Sequence, residues 1–194
     1  MNQDHRRTAH ETSGVKARAM TAAARILAEQ GREALSLRAI AESAQVGIAS
    51  IYHYFSSKEE LLLSLAVAGF ESLRREIATA DATREAVRPI GQGAQAFFAF
   101  AGDNAELFSL MYDVQLLSRH ESLREAEHQA FLTFRKYVAS DGRFPAEAAP
   151  GVAAALWALG RGIAAITSSQ PDGKLSAEQS ETIFAGAGYL LNRD

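Results

Sequence analysis

Apolar residues return every three or four positions along most of the chain, and no stretch keeps the two-residue alternation of a half-buried strand. Val15, Ala19, Ala22, Ala23, Ile26 and Leu27 form one such stripe, which predicts a helix that Gly31 stops. Residues 1–12 are polar and unpatterned and read as a flexible arm. A short second helix follows Ser36, a good N-cap, with Leu37, Ile40 and Ala41 on one face. Ala44-Gln45-Val46 is a tight break, and a third short helix is expected from Ile48 to Tyr54. Ser57 and Glu60 make a capping box for a fourth helix reaching about Ala80.

The rest of the chain also reads as helices. They are expected over residues 84–101, after an N-cap at Asp103-Asn104, over 122–140, over 152–167 with Pro150 in the first turn, and from a Ser176…Gln179 capping box to near Leu191. The expected fold class is all-α, with about nine helices.

Within this pattern, Ile51 and Phe55 are one turn apart and would pack inward together with Val46. Ile48, Ala49, Tyr52 and His53 would then point outward. Two readings follow. In one, this short helix is the outer element of a helix-turn-helix, with Tyr and His donors for phosphate oxygens and Ile48 and Ala49 for thymine methyl groups. In the other, Ile48 and Tyr52 are core residues of an ordinary bundle.

The charge distribution is what local phosphate contact would look like. Net charge is −3 overall, yet residues 1–58 hold eight Lys/Arg against five Asp/Glu, about +3, which leaves about −6 for the remainder. Arg6 and Arg7 could serve as a minor-groove arm, or be an unstructured tail.

The literal residues go further. Ser36-Leu37-Arg38-Ala39-Ile40-Ala41, Val46, Ser50-Ile51-Tyr52-His53-Tyr54-Phe55 and Lys58-Glu59-Glu60-Leu61 resemble the signature of the TetR family of transcriptional regulators. The resemblance covers about residues 13–73, which would be the DNA-binding domain, with 74–194 as the ligand-binding and dimerisation domain. It implies backbone-phosphate contacts by Ser36 and Arg38, and base-facing positions at Gly47, Ile48, Ala49 and Ser50. It implies phosphate and groove contacts by Tyr52 and His53, and a phosphate clamp at Lys58 on the fourth helix's N-terminus. The chain departs from the family at two places. Gln45 stands where Gly is usual, at a cost of about 1 kcal/mol if its backbone is left-handed. Gly47 replaces a Ser/Thr cap.

The C-terminal part is rich in aromatics, the usual composition of a core and also of a small-molecule pocket. Phe98, Tyr112, Phe134 and Trp157 are the candidate ligand contacts. The run 155–162 resembles a TetR subclass marked by a Trp and a His-Gly pair, but Arg161 occupies the position of the His. Small residues crowd the last two helices, where the resemblance places a homodimer interface. Ala154, Ala158, Gly162, Ala165, Ala185 and Gly188 are its candidates, and packing within one subunit is the alternative.

The partners expected are thus operator DNA, a second copy and a small effector, with no cofactor, no metal and no membrane. The chain has no cysteine, which removes disulfides, thiolate metal sites and Cys nucleophiles. No run is expected to reach transmembrane length, and a cytoplasmic protein is the expectation. As an enzyme it lacks the motifs. His120-Glu121 opens like a zinc-protease helix, but Arg124 stands where the second His must be. A DNA binder without a ligand is the remaining rival.

Overall fold

The computed structural model describes residues 4–80, 89–170 and 174–191, without the side chains of residues 4–13, 89, 184, 187, 188, 190 and 191. Among these, all regular structure is helical. The α-helices are α1 (Asp4–Gln30), α2 (Leu37–Ala44), α3 (Ile48–Tyr54), α4 (Lys58–Thr79), α5 (Pro89–Asp103), α6 (Ala105–Met111), α7 (Val114–Arg119), α8 (Glu121–Ser140), α9 (Ala149–Ser168) and α10 (Ala177–Leu191), with a single 3-10 turn at Arg32–Ala34.

The first helix begins at Asp4, well before the apolar stripe. Residues 4–12, expected as an arm, continue it because nothing in them breaks a helix before Gly14. Gly31 ends it with φ 77°, in the left-handed region. The added element, α7, is only six residues long, too short to display a period. Asp113 sets its start by accepting a hydrogen bond from the Leu116 amide at 2.9 Å.

The long helix α4 forms the spine. Leu61, Leu65, Phe70, Leu73 and Ile77 are almost fully buried on one side, and the helix packs against α5, α6 and α8. At its closest approach to α6, a Cβ on Gly69 would lie 2.6 Å from Met111 Sδ, so this glycine lets the two helices touch. α1 packs on α2 and α3, and also reaches α6, which joins the N-terminal helices to the rest.

By length and composition α9 is apolar enough to cross a bilayer, the single described helix of which this is true, so the expectation of no such run is corrected. Its inner face explains part of that character. Ala153, Trp157, Gly160, Ile163 and Ala164 are buried, and the helix packs on α5 and α8, with Arg161 in its middle.

Candidate nucleic-acid interface and effector site

α2, Gln45-Val46-Gly47 and α3 form a helix-turn-helix. Ser36 caps α2 by accepting from the Ala39 amide at 3.1 Å. At the other end Gln45 has φ 54° and ψ 48°, the single non-glycine residue with positive φ among those described. Its amide bonds Glu42 O at 3.2 Å, while the Val46 amide bonds Ala41 O at 3.0 Å. This bond pair is a Schellman cap built on a residue that lacks glycine's freedom. Gly47 caps α3 in an ordinary extended conformation, without a side-chain bond.

α3 presents two unlike faces. Ile51 is fully buried and Phe55, just after the helix, nearly so; Val46 is half-buried against the same core. On the other side Tyr52 is 58% exposed and Ile48 42% exposed, with Ala49 and His53 exposed beside them. The alternative of Ile48 and Tyr52 as core residues is thereby removed. Ser50 is half-buried, and the His53 ring meets Tyr54 edge-on at 5.0 Å.

The cations around this face differ in how free they are. Arg38 is 86% exposed and touches Glu42 at 3.3 Å, an exposed pair that a phosphate can displace at little cost. Lys58 is half-buried, and its Nζ donates to Arg32 O at 3.1 Å. A lysine in the first turn of a helix opposes the helix dipole, and a phosphate at that N-terminus would satisfy both. Ser57 accepts from the Glu60 amide at 3.1 Å as expected. The return bond differs: Glu60 Oε2 accepts from the amide and hydroxyl of Ser56, both at 2.7 Å, rather than from Ser57. Those two bonds hold the Glu60 pKa below its ordinary value. The side chains of Arg6 and Arg7 lie outside the described residues.

Three acid–base contacts tie these helices to the rest, and no local sequence pattern marks them. Arg32, in the 3-10 turn, pairs with Asp113 at the start of α7. Glu59, in the first turn of α4, meets His120 Nε2 at 3.0 Å and Arg119 Nη1 at 3.8 Å. Burial pushes the Asp113 carboxyl up, but Arg32 and the Leu116 amide outweigh it and leave its pKa below the usual value. His120, which opens the zinc-protease-like run, is thus a neighbour of Glu59, and His128 lies against the Phe131 ring.

The four candidate ligand residues fall in one aromatic region. Trp157 and Phe134 are buried, their rings 5.7 Å apart, and Phe97 lies 5.1 Å from Trp157. Phe98 is half-buried, 5.6 Å from Phe97, and lines a cavity of about 270 Å³ with Ala101, Ile163 and Thr167. Tyr112 is half-buried, 4.9 Å from Phe108. Arg161 reaches back from α9 to bond Glu127 Oε1 at 3.2 Å, and its guanidinium lies 4.1 Å from the Tyr112 ring centroid.

Outside this region, Ala154, Ala158, Gly162 and Ala165 are all exposed on α9, alongside Leu159 and Ile166. The glycines of this helix divide. Gly160 faces inward, where a Cβ would lie 3.3 Å from Phe97, and Gly162 faces open space. Ala185 on α10 is exposed, and the exposure of Gly188 lies outside the described residues.

Residues 19–65 match the family of bacterial regulatory proteins described as tetR family. No curated protein matches the chain. Among solved structures, the regulatory protein SCO4313 is similar at 19% identity and TM-score 0.74, over 95% of this chain and 98% of its own. A TetR transcriptional regulator from Legionella pneumophila is similar at 16% identity and TM-score 0.61, over 91% and 95%. The multidrug binding protein EbrR, complexed with imidazole, is similar at 21% identity and TM-score 0.59, over 92% and 90%. The class defined by site and fold is that of all-α chains with an N-terminal helix-turn-helix. More particularly, the N-terminal segment carries the tetR-family sequence, and the whole chain has the all-α fold of TetR regulators.

Proposed function

We propose that the protein is a ligand-responsive transcriptional regulator, a cytoplasmic repressor that binds palindromic operator DNA as a homodimer and is released by a small apolar or aromatic effector. The observation that carries this is the two-faced helix α3, anchored by Ile51 and offering Ile48, Tyr52 and His53 outward. In this reading Ser36, Arg38, Tyr52, His53 and Lys58 meet phosphates and groove edges. Gly47, Ile48, Ala49 and Ser50 open the recognition helix over the bases. Residues 13–73 act as the DNA-binding domain and 74–194 as the ligand-binding and dimerisation domain.

The outward face of α9 supports the dimer. An exposed stripe of alanine and glycine with Leu159 and Ile166 costs less in contact with a second copy than in water, and small residues permit close helix approach. Two heads so joined would meet successive major grooves about 34–36 Å apart. An effector that favours another spacing shifts the population away from DNA. EbrR, whose fold this chain shares, is described as a multidrug binding protein, which favours an effector in the body. The likeness of residues 155–162 to the Trp and His-Gly subclass belongs to this reading too, with Arg161 in place of the His.

The test is a mobility shift and footprint on DNA flanking the gene, over a range of salt. Lys58→Ala should weaken binding to all sequences and reduce the slope of log affinity against log salt by about 1. A Lys58→Ala protein with the parent's slope would show that Lys58 stays on the Arg32 carbonyl when DNA is bound.

A further inference from the structure

Two hydrogen-bond donors are buried in the aromatic region without an acceptor: Tyr112 Oη and Trp157 Nε1. Native interiors seldom leave such groups unpaired, because an unmade bond there costs the whole desolvation of the group. The side chains that carry the two donors belong to one series of ring contacts. Trp157 and Arg161 are one turn apart on α9, and Arg161 covers the Tyr112 ring. Below this layer Phe97 links them, 5.1 Å from Trp157 and 5.5 Å from Phe108, which in turn meets Tyr112.

The charges beside the donors cancel. Arg161 is committed to Glu127, so the region offers neither a spare cation for a carboxylate nor a spare carboxylate for an amine. Burial, and secondarily Glu127, push the Tyr112 pKa well above its ordinary value, so its hydroxyl keeps the proton and donates. What the region lacks is an acceptor oxygen. The cavity of about 270 Å³ is lined by Phe98 and not by Tyr112 or Trp157, and Phe98 joins it to the ring series through Phe97, 5.6 Å away.

We infer that the effector is an uncharged aromatic molecule bearing a carbonyl-type oxygen, seated among these rings, with Tyr112 Oη–H donating to that oxygen and Trp157 Nε1–H open to a second acceptor. This rests on the ligand-responsive reading above and narrows its chemistry. Discrimination follows from the donors. A hydrocarbon of the same shape leaves them unpaired, and a carboxylate must first break the Arg161–Glu127 pair.

The probes are the bicyclic ketone tetralone, its parent hydrocarbon tetralin and tetralin carboxylate, titrated calorimetrically into the full chain. Trp157 is the sole tryptophan, so its fluorescence reports occupancy of this region directly. Tetralone is expected to bind about tenfold or more tighter than either relative and to change the Trp157 emission. Tyr112→Phe, which keeps the ring, should bring tetralone close to tetralin while leaving tetralin unchanged. Equal binding of tetralone and tetralin to the parent protein, tightest binding by the carboxylate, or no response to any of the three overturns the inference. Mobility shifts without ligand on the same preparations keep the two readings apart. DNA binding without the ketone preference sinks this inference alone, and the ketone preference without DNA binding sinks the regulator reading.

Discussion

Around Ile51 the N-terminal helices meet through Ala19, Ala23, Leu27 and Ile40, small and aliphatic side chains with no polar atom among them. Around Trp157 the helices of the body meet through rings, and two polar atoms inside find no partner. The exposures run the other way. In the head the features that solvent alone does not account for point outward, at Ile48 and Tyr52; in the body the unmet donors point inward. A surface meant for a large, charged partner needs stiff support beneath it, which a dry aliphatic core supplies. On the proposed reading, the unmet interior donors suit a small molecule that brings its own acceptor.

That contrast is sharpest across α3 itself. Ile51→Ala should cost about 2–5 kcal/mol of stability, read from the urea midpoint, since it empties a fully buried site. Ile48→Ala, three residues away, should cost no more than about 0.5 kcal/mol and instead change the preferred bases in a selected-site logo. Comparable losses of stability from both would mean that α3 has no free face. An unchanged logo for Ile48→Ala would leave the outward face in place but take base reading away from it.

The joint between the two regions comes next in size. At Gly69 a new Cβ would meet Met111, itself fully buried, and would lie 3.2 Å from Cδ1 of the half-buried Leu107. Gly69→Ala should therefore cost about 1–3 kcal/mol through overpacking. An alanine tolerated here, with stability unchanged by urea titration, would show that α4 and α6 slide freely against each other.

How far the sequence carries depends on the range of the signal. α3 is legible to its ends because the break at Gln45-Val46-Gly47, a period and a terminal aromatic agree, and the inward packing of Ile51 and Phe55 follows from their spacing. α7 was not, because six residues hold less than two turns and Asp113 was not taken for a cap. The Arg32–Asp113 and Glu59–His120 pairs join residues far apart in the chain, and no local pattern marks them. The same holds for Lys58, recognisable by its motif as a cation near DNA but not as a donor to the Arg32 carbonyl. Phe98, Tyr112, Phe134 and Trp157 were legible as aromatics of one region. That Tyr112 and Trp157 are the two left without acceptors depends on every neighbour at once, and composition does not hold that information.

Among the substitutions expected to shift stability, the smallest effect lies in the turn that sets α3 against α2. Gln45 is left-handed, at φ 54°, and its amide and that of Val46 both need that geometry to cap α2. An L side chain in this conformation costs about 1–2 kcal/mol. Glycine would relieve it, though part of the gain returns as the greater freedom of glycine in the unfolded chain. Gln45→Gly should thus raise stability by about 0.5–1 kcal/mol, seen as a higher urea midpoint at unchanged slope. The side chain is exposed, so no packing is lost in the exchange. If the midpoint falls instead, the turn is not strained by Gln45, and the stiffness assigned to the head must come from the aliphatic core alone. If it rises while operator affinity stays constant, α3 is already held in its DNA-binding pose by Ile51 and Phe55, and the turn only closes the chain.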